Sequence, residues 1–147
     1  MTTLSRTVRT STPPERVYPY LADFRNAAEW DSGTVSCVLA DGDGGVGSRY
    51  RNTSRFAGRT VELDYVLQTR QPPTIVLLGS NATTTARDTI VVTPDGQGSQ
   101  VAYTAEFTFT GLARFLGPLM RPLLDRLGDD TAALLREKLD GLSAPTP

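Results

Sequence analysis

Large apolar residues recur at helical spacing near the end of the chain: Leu112, Phe115, Leu116, Leu119, Met120, Leu123, Leu124, Leu127, Leu134, Leu135 and Leu139. Intervals of three and four place them on one face of a long C-terminal helix. Upstream the period changes. From about Thr34 to Phe109 apolar and polar residues alternate, as they do in strands with one face buried. Turn-forming residues divide this stretch into strands over 34–40, 48–56, 59–69, 74–79, 84–93 and 100–110. Another alternating segment, Leu4 to Ser11, comes first. Thr12-Pro13-Pro14-Glu15 then reads as a helix start, with Thr12 and Glu15 forming a capping box. Val17, Tyr20, Leu21 and Phe24 continue at helical intervals, and Pro19 predicts an irregular first half. Arg25 to Asp31 predicts a second short helical turn carrying Trp30. The predicted order is one strand, two short helices, six strands and one long helix. One domain over 1–142 with a disordered tail over 143–147 is expected, since nothing repeats and no linker intervenes.

The facing of the strands is informative. Arg49, Arg51 and Arg55 share one side of the third strand, and Glu62 and Asp64 one side of the fourth. Antiparallel pairing places arginines beside carboxylates in solvent. It turns Tyr50, Asn52 and Ser54 inward, together with Tyr65. Polar groups aimed at a core need partners, which a wet or ligand-filled cavity supplies. In the last strand Val101, Tyr103, Ala105, Phe107 and Phe109 face in, opposite Gln100, Ala102, Thr104, Glu106 and Thr108.

The chain resembles the START-like, helix-grip superfamily, also called SRPBCC or polyketide cyclase/dehydrase proteins. The resemblance is carried by SRTVRTSTPPERVYPYLADFRNAAEW, by VGSRYR and TRQPPTIVL, by the hairpin DGQGSQVAYTAEFTFTG, and by the amphipathic LARFLGPLMRPLLDRLGDDTAALLREKLDG. These are motifs of fold. The resemblance implies an α+β helix-grip fold: a curved seven-stranded antiparallel sheet wrapped round a long C-terminal helix, with an elongated pocket between them. It implies binding of a lipid, polyketide, quinone or similar molecule, or cyclase and dehydratase chemistry in some members. It brings no shared catalytic set to these positions. Pro19, Gly117-Pro118 and Pro122 would bend or interrupt elements bordering the pocket.

Composition narrows the chemistry. The formal net charge is -1, so the chain lacks the basic excess that phosphate contacts require, and no nucleic-acid partner is expected. No apolar run is long enough for a transmembrane helix, and the polar N-terminus carries no signal core, so a cytoplasmic location is expected. The chain has no histidine and a single cysteine, Cys37. This excludes histidine-based nucleophile machinery and the usual zinc sites, and no metal or cofactor is expected. Any catalysis must come from Asp, Glu, Tyr, Arg or Ser.

Gly42-Asp43-Gly44-Gly45-Val46-Gly47 has the spacing of a dinucleotide loop, but a strand follows where that site needs a helix. Asp41-Gly42-Asp43 fails as a calcium loop because Asn52 stands where the closing glutamate belongs. Trp30 either lines the pocket mouth or packs between the short helices and the sheet. Asp88 has aliphatic neighbours on both strand faces; it either reaches solvent near a strand end or is a buried acid. Cys37 reads as a buried, apolar-like thiol. The residues expected to line a ligand pocket are Trp30, Tyr50, Asn52, Ser54, Tyr65, Asp88, Tyr103, Phe107, Met120 and Leu124, with Leu123 and Leu127 as core or pocket wall. No catalytic residue is assigned. The function expected is binding of a hydrophobic small molecule by a monomer or homodimer. The alternatives are a polyketide cyclase, aromatase or dehydratase, for which Asp88, Tyr65, Tyr103 and Arg87 would be substituted first, and a protein-interaction module.

Overall fold

The computed structural model describes residues 2–142. In chain order the elements are β1 (Thr2–Thr10), α1 (Pro14–Ala22), a 3-10 turn (Phe24–Asn26), α2 (Ala27–Trp30), β2 (Thr34–Asp41), β3 (Arg49–Phe56), β4 (Arg59–Gln71), β5 (Thr74–Ser80), β6 (Thr84–Asp95), β7 (Gly98–Phe109), a 3-10 segment (Gly111–Leu116) and α3 (Gly117–Leu142). The seven strands form one antiparallel sheet in the order β1-β7-β6-β5-β4-β3-β2. This is the helix-grip arrangement: the sheet curves round α3, and α1 and α2 fill the gap between the ends of the sheet and the helix. Register shifts in the β2–β3 pair and in the β4–β5 pair mark bulges, the usual means by which a sheet acquires extra bend.

The strand facings follow the alternation in the sequence. Tyr50 pairs with Tyr65, Asn52 with Leu63 and Ser54 with Val61 on the concave side of β3 and β4. On the convex side Arg51 meets Asp64 across the pair, at 3.1 Å between Nε and Oδ1. Both side chains are more than half exposed, so this pair adds little stability and serves mainly to keep that face in water. The core is packed from α1, α2 and the sheet: Val17, Leu21, Phe24 and Trp30 lie against Leu67, Ile75, Leu77, Ile90 and Val101.

Three helical expectations need correction. Thr12 does not cap α1. The residue preceding the helix is Pro13, no side chain bonds the first turn, and the buried Thr12 hydroxyl instead donates to the Leu139 carbonyl of α3. Tertiary burial outcompetes the local cap. The C-terminal helix begins at Gly117 rather than Leu112, after the 3-10 segment. Proline lacks the amide hydrogen of an α-helical interior, so Pro118 is accommodated in a first turn and not in a helix started five residues earlier. Finally, the apolar stripe is not buried along its whole length: Phe115, Leu119 and Leu123 are exposed, which removes Leu123 from the pocket wall. Pro19 and Pro122 both lie inside helices that continue through them.

The β3–β4 hairpin closes through Ala57 and Gly58, both at positive φ (54° and 77°). Two such residues define the tight turn that matches strand twist, and alanine is the poorer of the pair there because its Cβ crowds the left-handed backbone. Ala57→Asn, which restores the Asn-Gly preference, is expected to stabilise the fold by about 0.5–1 kcal/mol. A raised urea midpoint at unchanged slope would verify it; a lowered midpoint would show that the turn is not under strain.

Candidate ligand-binding cavity

A partly open cavity of about 160 Å³ lies between the concave face of the sheet and α3. Most of its wall is apolar. Val61 and Leu63 of β4, Ala105, Phe107 and Phe109 of β7, Leu4 and Val8 of β1, and Met120, Leu124, Leu127 and Leu135 of α3 supply it. Its exposed or half-buried members Arg55, Phe56, Phe109 and Met120 mark the mouth, beside the β3–β4 hairpin and the start of α3. A cavity of roughly 150 Å³ in an apolar core takes up a benzene ring, so the enclosed space holds about one ring, with room at the mouth for more.

Eight of the ten residues expected from the sequence lie in this wall: Asn52, Ser54, Tyr65, Asp88, Tyr103, Phe107, Met120 and Leu124. Trp30 and Tyr50 do not. Trp30 is fully buried behind the wall, edge-on to Tyr103 at 5.8 Å and to Phe24 at 6.4 Å. Tyr50 is likewise buried, edge-on to Phe24 at 5.9 Å. Both are the largest rings in their part of the chain, and they fill volume under the short helices instead of the hollow. Arg87 is exposed, on the other side of β6 from Asp88. Cys37 is buried and its thiol is pushed up to about 12 by desolvation, so it is no thiolate. Sequence reasoning missed Arg6, Asp31, Gly33, Gly128 and Thr131 in the wall. Asp31 and Gly33 sit in a turn, where no periodicity reports facing. Gly128 and Thr131 carry too little apolar character to register in the helical stripe.

Two polar clusters interrupt the apolar wall. In the first, Asn52 donates to the Thr34 hydroxyl at 3.1 Å and accepts from Ser54 at 2.6 Å. Asp31 accepts from the Gly33 amide at 3.0 Å and from Thr131 at 3.3 Å. Every member is partnered, and the cluster ties β2, β3 and α3 to the α2–β2 turn. Burial pushes the Asp31 carboxyl upward against the pull of these donors.

The second cluster is incomplete. Asp88 on β6 is only 3% exposed; its Oδ2 accepts from the Tyr103 hydroxyl at 3.2 Å, while Oδ1 has no partner among the described residues. Desolvation, then repulsion from Asp31, raises its carboxyl to about 7, with the Tyr103 hydrogen bond opposing. Tyr65 stands nearby, its hydroxyl making no hydrogen bond among the described residues and its pKa raised by burial and by Asp88. Tyr65 can lie against β5 because its cross-strand partner is Gly79: a Cβ there would fall 2.6 Å from the ring. Among the described residues no group of three or more acidic or cysteine side chains is placed to hold a metal.

Over residues 1–140 the chain matches the family described as polyketide cyclase/dehydrase and lipid transport. It belongs to that family. The polyketide cyclase/dehydrase fold recurs in solved structures of low identity. A protein from Thermus thermophilus is 18% identical, with a TM-score of 0.82 over 97% of this chain and 100% of that one. A START superfamily protein from Mycobacterium smegmatis is 14% identical, with a TM-score of 0.80 over 96% and 99%. An aromatase/cyclase from Streptomyces sp. R1128 is 15% identical, with a TM-score of 0.75 over 95% and 93%. At such identity the likeness is one of fold. No curated protein sequence matches the chain. Among the described residues no helix is long and apolar enough to cross a membrane.

The raised Asp88 carboxyl has a consequence for stability. Its folded value of about 7 lies above the roughly 3.9 of an unfolded aspartate, so the folded state binds the extra proton. The carboxyl therefore costs nothing below pH 4 and destabilises increasingly as pH rises to 7, by at most about 4 kcal/mol. Asp88→Asn, which mimics the protonated form, is expected to match the parent at pH 4 and to exceed it in urea stability at pH 8. Equal stabilities at both pH values would show that Asp88 is not desolvated.

Proposed function

We propose that the protein takes up a predominantly apolar small molecule of lipid, polyketide or quinone type in the cavity between the sheet and α3. One observation carries this reading: an apolar-walled hollow is lined in part by a buried carboxyl whose Oδ1 has no partner among the described residues. Burial of the ligand's carbon surface supplies the affinity, and the few polar groups of the wall orient it. Asn52, Ser54, Tyr65, Asp88 and Tyr103 are the orienting groups, and Phe107, Met120 and Leu124 the apolar ones. Membership of a family described by both polyketide chemistry and lipid transport supports a ligand of this kind.

A second reading is favoured by Asp88 itself. A carboxyl near 7 changes protonation at neutral pH, where a general base or acid works best. On a poly-β-ketone held in the cavity, the Asp88 carboxylate would remove a proton from a carbon between two carbonyls. Tyr65 would donate a hydrogen bond to the enolate oxygen that forms. The carbanion would then attack a second carbonyl of the poly-β-ketone, whose oxygen takes back the proton held by Asp88. Removal of the remaining proton on the attacking carbon by Asp88 and departure of the new hydroxyl would release water. Arg87, exposed on the opposite face, takes no part.

Ala105 lies opposite Asp88 in the β6–β7 pair and lines the cavity. Ala105→Phe is expected to fill the hollow. Native mass spectrometry should find a small-molecule adduct on the gently purified parent and none on a folded Ala105→Phe variant. A parent that carries nothing, and that no apolar probe stabilises against heat, would remove the binding reading. Turnover of a poly-β-ketone surrogate that falls at least about 100-fold in Asp88→Asn would establish the second.

A further inference from the structure

The polar groups of the cavity are unevenly charged. Asp31 and Asp88 both line it, and neither has an arginine or lysine partner among the described residues. Two arginines also line it, but neither is paired with Asp31 or Asp88. Arg6 is held by Asp129 at 3.0 Å and by the Asp125 carbonyl at 3.0 Å, and Arg55 is exposed at the mouth. A ligand head that reaches the buried polar groups of the wall therefore meets two carboxyls and two tyrosines and, among the described residues, no free cation beside them. Asp88 is almost wholly enclosed by the protein, and a buried acceptor without a donor is costly to maintain. The Tyr103 hydroxyl already uses its proton on Oδ2, so Tyr103 cannot also serve Oδ1.

Resting on the apolar-ligand reading above, we infer that the Asp88 and Tyr65 part of the cavity wall selects a neutral molecule ending in a hydroxyl or phenol and rejects one ending in a carboxylate. A hydroxyl offers one donor and two acceptor lone pairs. The donor suits Asp88, and the lone pairs suit the otherwise unpartnered Tyr65 hydroxyl. A carboxylate offers only acceptors, and it would be brought beside Asp31 and Asp88 in a medium that screens charge poorly. A plain hydrocarbon meets neither cost nor gain and ranks between the two. The wall thus discriminates by the sign of the head group, while its apolar part is indifferent to the tail.

Three bicyclic probes of one shape test this by calorimetric titration at pH 8: naphthalene, 2-naphthol and 2-naphthoate. The expected order is 2-naphthol at least about tenfold tighter than naphthalene, and 2-naphthoate at least about tenfold weaker, as one charge-assisted hydrogen bond gained or one repulsion incurred would give. In Asp88→Asn the advantage of 2-naphthol should shrink to within about threefold of naphthalene, and 2-naphthoate should recover. Tyr65→Phe, which keeps the ring against Gly79, should lose part of the same advantage and stands in should Asp88→Asn not fold. Naphthoate binding as tightly as naphthol, or a naphthol preference untouched in the folded variants, overturns the selectivity and leaves the apolar-ligand reading intact. Failure of all three probes, naphthalene included, overturns both.

Discussion

The last helix is held against the first strand, and the cavity exists because it is. From one end of α3 to the other, side chains bridge to β1 and the turn after it. Arg121 donates to the Thr3 carbonyl, Arg6 reaches Asp129 and the Asp125 carbonyl, Thr10 donates to Asp140, and Thr12 to the Leu139 carbonyl. At the middle of this seam is Gly128, where any Cβ would fall 2.7 Å from a methyl of Leu4. The side chains of Leu4 and Arg6 lie directly on the helix there because one side chain is missing. The seam pins one flank of α3, and Ser32 with Thr131 pins the other. Between those flanks the helix bridges the concave sheet without filling it.

This arrangement explains how a hollow survives in a protein whose interior otherwise packs densely. Trp30, Phe24, Tyr50 and Tyr65 form a continuous layer of edge-on and tilted rings under the short helices, with Tyr103 completing it. That layer is the rigid floor. Above it the sheet curves round α3, and Asn52 with Ser54 and Asp31 with Thr131 tie the polar part of the wall together. The fully partnered Asp31 and Asn52 cluster is architectural. The half-partnered Asp88 is different: of the described buried polar atoms only its Oδ1 and the Trp30 Nε1 lack a partner, and of the two residues only Asp88 lines the cavity.

How much of this was legible in the chain can be judged residue by residue. Strand facing was readable wherever period-two alternation ran long enough, so Asn52, Ser54, Tyr65 and Tyr103 were correctly turned inward. Asp88 was ambiguous because Val91 gives the other face of β6 an aliphatic residue too; only the curvature of the sheet decides which face is enclosed. For Trp30 the sequence admits both the mouth and a packing role, because it reports that a ring is large and apolar but not what volume awaits it; the structure packs it. The start of α3 was read too early because leucines keep helical spacing through a 3-10 segment. Asp31, Gly128 and Thr131 were invisible: their importance arises from what α3 and the α2–β2 turn bring together, and no local pattern records it.

The seam has a further consequence in time. Arg6 and Asp129 are 123 residues apart, and β1 can pair only with β7. A chain emerging from the ribosome would complete most of its meander, β2 through β6, while the first strand still lacked a neighbour and the concave face lacked its helix. Contacts of such long range form late and slowly, because the loop they close must first lose its freedom. The same inner face that lines the cavity in the finished molecule is thus a naked apolar trough during synthesis, and a small apolar molecule able to occupy it would act on the nascent chain as a temporary core.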